Sequence, residues 1–331
     1  MSFKRLDPED FLVSSDTVTS TVWSDETVTL TTFFTSSTSS TNDNYYKNVY
    51  KTSARSDIQF ALAYGDKLGS GSAQYNDLVG GKTPTRTVYG QFRNLIYGDE
   101  NSDFNFGGTT SETFWAISIE RARYKEKLLP ASLNLVISGS YNLELTDNSK
   151  LVTTDTFLDC GRVYQLISGS DGTSHDGGTG YSTNQGSYGL FLPDISTIII
   201  NPLAVSSSIG VEVSRSYDAP GENITTIFTA ISGAADSDPG GFKVNSEETL
   251  SSDFVFVRAR NSEFNYSENP SYISGSTGDV IFPALINSPQ SFMTTVGLYN
   301  DTNELLAVAK LSKPLVKDFT KETLLRVKLD F

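Results

Sequence analysis

The chain has 331 residues and a formal net charge of −14, with 25 Lys and Arg against 39 Asp and Glu. Such a length removes about three quarters of the extended chain's surface from water on folding, while the acidic balance argues against a protein whose main task is neutralising nucleic-acid phosphates. A single cysteine, Cys160, excludes an intramolecular disulfide and every two-thiol zinc or redox motif.

The 20 Phe and 16 Tyr, set among Ser, Thr, Asn and Gly, favour strands and turns over surface helices. Residues 1–13 read as an extended arm in which Pro8 blocks regular pairing and Phe3, Phe11 and Leu12 are apolar anchors. Val18 and Val22, then Val28, Leu30, Thr32 and Phe34, alternate on either side of Ser24-Asp25-Glu26-Thr27 and predict a hairpin. The stretch 35–44, nearly all Ser, Thr and Asn, predicts a loop. Ile58, Phe60, Leu62 and Tyr64 predict a strand, and the five glycines of 65–81 a second loop.

Helix signals agree over 84–97. Thr83 can cap, Pro84 suits the first position, Val88, Phe92, Leu95 and Ile96 recur at helical spacing, and Gly98 stops it. Gly90 weakens the pattern from within. Residues 114–124 then read as a strand with Trp115, Ile117 and Ile119 inward. Its alternation would set Arg121, Arg123, Lys125 and Lys127 on one face, as a solvated surface or a socket for an acidic neighbour.

Further strands are predicted near 133–137 and 143–145, around Ser138-Gly139-Ser140, then over 151–158 and 162–167, with Cys160 a small buried hydrophobe at the head of the last. Residues 168–187 are Gly- and Ser-rich and predict a loop. The apolar run 195–200 predicts a strand buried on both faces, and 209–213, 225–231 and 253–260 predict three more. Residues 292–299 and 304–310 form a hairpin about Asn300-Asp301-Thr302-Asn303, and 324–331 a terminal strand. The whole predicts a mainly β fold: antiparallel sandwich- or barrel-like sheets with one or two short helices and long Gly/Ser/Thr-rich loops. It is laid out as an N-terminal arm (1–13), a main β region (14–250) and a C-terminal β unit (251–331).

Catalytic motifs are missing from this pattern. The one histidine, His175, sits in a Gly/Ser loop, and there is no G-x-S-x-G elbow, phosphate loop or H-E-x-x-H. Asp171, His175 and Asp176 among glycines have the composition of a metal loop but miss the EF-hand spacing. The reading is therefore of no catalytic residue, no cofactor and no metal. Asn265, Tyr266, Asn269, Pro270 and Tyr272 suit either a sugar platform or a turn with satisfied amides. In the C-terminal hairpin both faces are largely apolar, which calls for cover from the chain's own core, the terminal strand or a partner. The candidate assembly residues are Phe3, Phe11, Met293, Leu306, Val308 and Phe331.

Four segments carry a likeness: DPEDFLVSSDTVTSTVWS, SAQYNDLVGGKTPTRTVYGQFRNLIYGDENSDFNFG, FWAISIERARYKEKLLPASLNL, and residues 254–331. They resemble virion structural proteins of contractile-tailed bacteriophages, above all the T4-like phages of marine cyanobacteria. The resemblance implies a structural component of the tail or baseplate, with neck and capsid surface as competitors. It implies other phage structural proteins as partners, repeated copies in a symmetric assembly, and no direct role on nucleic acid. Localisation in the virion follows, after synthesis in the host cytoplasm. The lack of a signal-peptide core in MSFKRLDPEDF and of any apolar run of ~18 residues predicts the same, with no membrane span. The alternative from another class is a carbohydrate-binding tail-fibre or adhesin component touching the host surface.

Overall fold

The computed structural model describes residues 4–35, 45–72, 83–177, 181, 184–216, 222–235, 237 and 239–330. The molecule is mainly β, with 44% strand and 17% helix. It divides into two compact units, one formed by Met1–Thr17 with Thr249–Phe331 and the other by Val18–Glu248; we call these the terminal and the central unit.

In chain order the strands begin with β1 (Phe11–Thr21), β2 (Thr29–Leu30), β3 (Phe34–Thr35), β4 (Tyr46–Tyr50) and β5 (Ile58–Asp66), followed by helix α1 (Pro84–Tyr97). Next come β6 (Phe104–Phe106), β7 (Thr109–Ser111), β8 (Thr113–Ile119), β9 (Lys127–Leu128), β10 (Asn134–Ser138) and β11 (Asn142–Asp147). They lead to β12 (Thr156–Leu158), β13 (Gly161–Ser170), β14 (Thr173–Ser174), β15 (Gly189–Leu192) and β16 (Thr197–Ile200). Helices α2 (Pro202–Ile209) and α3 (Glu222–Gly233) precede β17 (Phe242–Lys243) and β18 (Asn245–Ala259). The single turn α4 (Ala284–Asn287) leads into β19 (Gln290–Tyr299), β20 (Leu305–Asp318) and β21 (Thr323–Asp330).

The central unit is built on one sheet ordered β2-β17-β10-β11-β13-β15-β16-β8-β5-β4-β3, with β12 and β14 attached to β13, curled into a half-barrel. Period-two alternation explains how it is covered. Ile198 and Ile200 pair with Ile117 and Trp115 and point to one face, while Ile199 pairs with Ala116 and points to the other. The first face packs beneath α2 and α3 through Ala204, Val205, Ile209, Ile224, Ile227 and Ile231. The second packs beneath α1 and the β6–β7 hairpin through Val88, Tyr89, Ile96, Phe104 and Phe106. The strand predicted at 195–200 forms over Thr197–Ile200, after a 3-10 turn that ends at Ile195, and is buried on both faces as its sequence predicts, although its neighbours run antiparallel. Trp115 joins the layers, since its Nε1 donates to the carbonyl of Asn223 at 3.0 Å.

Helix α1 follows its sequence signals: Thr83 Oγ1 accepts from the N–H of Arg86, Pro84 opens the helix, and Gly98 closes it at φ 68°. Leu95 differs from expectation. It stands on the flank of the buried stripe and is exposed, whereas Thr85 and Tyr89 are buried in it. Residues 225–231, predicted as a strand, lie in α3. Ile224, Ile227 and Ile231 recur at three and four residues and all meet the sheet, so burial overrides the β preference of Thr and Ile. Residues 209–213 are likewise not a strand. Asn201, whose side chain accepts from the N–H of Leu203, caps α2, and Gly210 ends it at φ 73°. With α4 the described helices number four, more than the one or two expected.

Three other expectations fail in the central unit. The turn at 24–27 makes no hairpin: Asp25 and Glu26 take left-handed φ, and β1 lies beside β18, β2 beside β17 and β3 beside β4. The strand from 114 stops at Ile119, and Arg121–Arg123 form a 3-10 turn closed by the Arg123 N–H on the Glu120 carbonyl. The four basic residues therefore share no strand face. The Gly/Ser stretch 168–187 is partly ordered, since β13 runs on to Ser170 and turns back as β14; residues 178–180 and 182–183 lie outside the described residues. So do residues 36–44 and 73–81 of the loops predicted at 35–44 and 65–81; the start of the second is not loop, since β5 runs on to Asp66.

In the terminal unit, β18 and β21 pair antiparallel from Ser252↔Asp330 to Ala259↔Thr323. Strands β19 and β20 form a separate two-stranded sheet.

Candidate assembly surface

The β19–β20 hairpin is set by its tip. Asn300 Oδ1 accepts from the N–H groups of Thr302 (3.0 Å) and Glu304 (2.8 Å), and its Nδ2 donates to Glu304 Oε2 at 2.7 Å. Asn303 takes the left-handed φ of 62° that Asn tolerates. Pairing runs from Tyr299↔Leu305 back to Gln290↔Asp318, with a one-residue shift between Tyr299↔Leu305 and Leu298↔Ala307 and a wider break between Met293↔Leu315 and Thr295↔Lys310. At the break β19 has only Thr294, while β20 uses Leu311, Ser312, Lys313 and Pro314. A proline has no N–H for the ladder and is tolerated at such an irregularity, so β20 extends well past Lys310, where the sequence pattern stops.

Near the tip the two faces differ. Val296, Leu298, Ala307 and Ala309 are half-buried on one side. On the other, Leu306 and Val308 are 68% and 57% exposed. The Tyr299 ring lies over Gly297, where an added Cβ would stand 2.9 Å from its Cε2; the aromatic fills the place a side chain at 297 would take. Among the described residues no third strand joins this hairpin. The terminal strand β21, expected as one candidate cover, pairs with β18 instead.

A second surface comes from the alternation in FVFVRAR. Val255, Ala259 and Val327 face inward and are buried. Phe254, Phe256 and Arg258 share the opposite face with their register partners Lys328, Arg326 and Leu324. Arg326 and Lys328 sit over the Phe254 ring at 5.3 and 6.0 Å, a cross-strand cation–π arrangement.

These surfaces belong to a unit with almost no apolar core. Among its described residues the only buried hydrophobic side chains are Val255, Ala259 and Val327. The same unit exposes Phe11, Phe282, Ile286, Phe292, Leu306 and Val308, each more than half open to solvent. What it buries besides is polar: Ser252, Ser291 and Lys317.

Of the candidate assembly residues, Leu306 and Val308 come together on one hairpin face. Met293 is half-buried opposite Leu315, beyond the break. Phe11 opens β1, whose residues are nearly all exposed. Phe3 and Phe331 lie outside the described residues. Sequence reasoning missed Phe282 and Ile286; the apolar run Val280 to Ile286 around Pro283, in an otherwise polar connection, is the signal that marks them.

Several of the remaining candidates are engaged locally. His175 is half-exposed with Nε2 3.1 Å from Glu144 Oε2. Asp171 is held by Lys243 at 2.7 Å and by the Asn134 amide. Lys127 pairs with Glu247, and the Arg121 guanidinium rests on the Tyr124 ring at 4.8 Å. Cys160 packs against the α1 cluster, and burial pushes its thiol up to about 11. The amide of Asn265 donates to the Asn261 carbonyl and accepts from Lys317, and the Asn269 carbonyl receives the Tyr272 N–H, so this segment is a turn with satisfied groups. Among the described residues no group of three or more His, Cys, Asp or Glu could hold a metal ion.

No protein-family model matches the chain, and neither a curated protein nor a solved structure does.

Proposed function

We propose that the chain is a structural subunit of a contractile-tailed phage particle, placed in the tail or baseplate and joined to its neighbours through the terminal unit. Four sequence segments support the phage assignment by resemblance. The observation that carries the assembly role is the terminal unit's composition: three buried aliphatic side chains among its described residues, with large apolar side chains left open. A two-stranded hairpin is at best marginally stable alone in water. Contiguous apolar faces on a soluble protein mark contact surfaces. Covering Leu306, Val308 and Tyr299 against a neighbouring subunit removes that apolar area from water, at about 25 cal/mol per Å² before the costs of association.

The test is a Leu306→Glu, Val308→Glu double variant introduced into the phage that encodes the chain. Purified variant should keep the thermal transition of the wild-type central unit, yet be missing from purified particles. Incorporation at wild-type level would sink the reading.

A further inference from the structure

Helix α1 has a face that its packing does not explain. Arg86, Gly90 and Arg93 recur at four and seven residues and so share one side of the helix, with the buried Tyr89 at its edge. With Lys67, Leu68, Glu100 and Asn101 they line a half-open cavity of about 480 Å³. That volume lies within the roughly 300–1,000 Å³ of small-molecule sites.

Two observations single this cavity out. Arg93 Nε is buried and has no hydrogen-bond partner, while its guanidinium rests 5.8 Å from the centre of the Tyr89 ring. A buried donor left unpaired on a charged group is costly unless something accepts from it. Gly90, in mid-helix, has no local reason to be glycine: a Cβ there would meet nothing within 4 Å. Glycine at such a position costs about 1 kcal/mol against alanine, and its effect here is to keep the cavity floor open between two arginines.

The neighbouring acids do not supply the missing acceptor. Asp103 is taken by Lys67 at 2.6 Å, and Asp99 accepts from the N–H groups of Asn101 and Ser102. Glu100 stands exposed on the cavity wall. Arg86 and Arg93 thus line one cavity with Lys67, whose charge is met by Asp103, in a chain whose net charge is −14.

We infer that this cavity is an oxyanion site in which Arg93, with Arg86 beside it on the same helix side, holds a phosphate or carboxylate group. A guanidinium presents parallel N–H donors that match either group. The space beyond Gly90 takes the body of the molecule that carries it. This site lies in the central unit and does not depend on the proposed role of the terminal unit.

Titration calorimetry on the full chain at constant ionic strength tests it, with sodium phosphate, sodium acetate and sodium chloride as probes. Saturable binding of phosphate or acetate, with none of chloride, is expected, and whichever binds identifies the group. Arg93→Gln should weaken that binding by about tenfold, the loss of one charge-assisted hydrogen bond. Gly90→Leu, which fills the cavity and leaves every cation in place, should weaken it as much and covers the case in which Arg93→Gln does not fold. Absence of saturable binding by both anions, or equal binding by wild type and Gly90→Leu, overturns the inference.

Discussion

Lys317 donates its buried ammonium to the side-chain carbonyl of Asn265 at 3.0 Å. The same Nζ also donates to the carbonyls of Asn261 at 3.1 Å and Asp318 at 2.8 Å. The side chain is fully enclosed, and three donors meet three oxygens with no carboxylate among them. In a unit so poor in apolar core, this polar knot fastens β20 to the turn at 261–265.

Lys317→Met should therefore loosen the terminal unit, because three oxygens lose their donor at once. The expected cost is about 2–4 kcal/mol. Hydrogen exchange should quicken around 261–265 and along β20, with the central unit's protection unchanged. Unaltered exchange in the turn would show that the knot contributes nothing.

Two glycines of α1 should respond with opposite signs. Gly90→Ala removes a flexible residue from mid-helix without a clash and should stabilise by about 0.5–1 kcal/mol. Gly98→Ala puts a side chain at φ 68°, with its Cβ directed onto the Asp159 carboxylate, and should destabilise by about 1–3 kcal/mol. Urea denaturation of both variants checks the pair.

Two carboxylates should give the fold opposite pH dependences. Burial holds the Asp147 carboxyl above its ordinary value of 3.8, although the Ala131 and Ser149 N–H groups pull the other way. Its contribution is full below 3.8 and falls as pH rises through the folded value. Asp194 is also partly buried, but hydrogen bonds from Arg162 outweigh that burial and hold it below 3.8. Its contribution is full above 3.8 and is lost as pH falls through the folded value. Relative to wild type, Asp147→Asn should gain stability as pH rises above the ordinary carboxyl value of 3.8. Asp194→Asn should lose about 1–2 kcal/mol at neutral pH and unfold less steeply in acid. Denaturation midpoints from acid to neutral pH decide both.

Much of this was legible in the chain itself. Strong alternation marked the strands at 58–64, 133–137, 162–167 and 292–299, and the Thr-Pro…Gly grammar marked α1. The same grammar, Asn201-Pro202…Gly210, stood over α2 and was obscured by the β-branched run before it. The hairpin at 292–310 follows from local pattern and an Asx turn, which need only neighbouring residues. The oxyanion cavity was not legible, because Arg93 meets Lys67 only after a strand and a helix have folded together.

By itself the sequence determined where period-two and helical patterns lie, which turns close on their own side chains, and that a single cysteine can form no intramolecular disulfide. Tertiary structure decided the rest. Residues 225–231 became a helix because three isoleucines could reach the sheet only at helical spacing. The strands around residue 25 found distant partners because sheet hydrogen bonds reward any edge within reach. The terminal unit's lack of core is likewise a property of packing: its Phe, Leu and Val are as apolar as those of the central unit, and only the fold determines which of them other side chains cover.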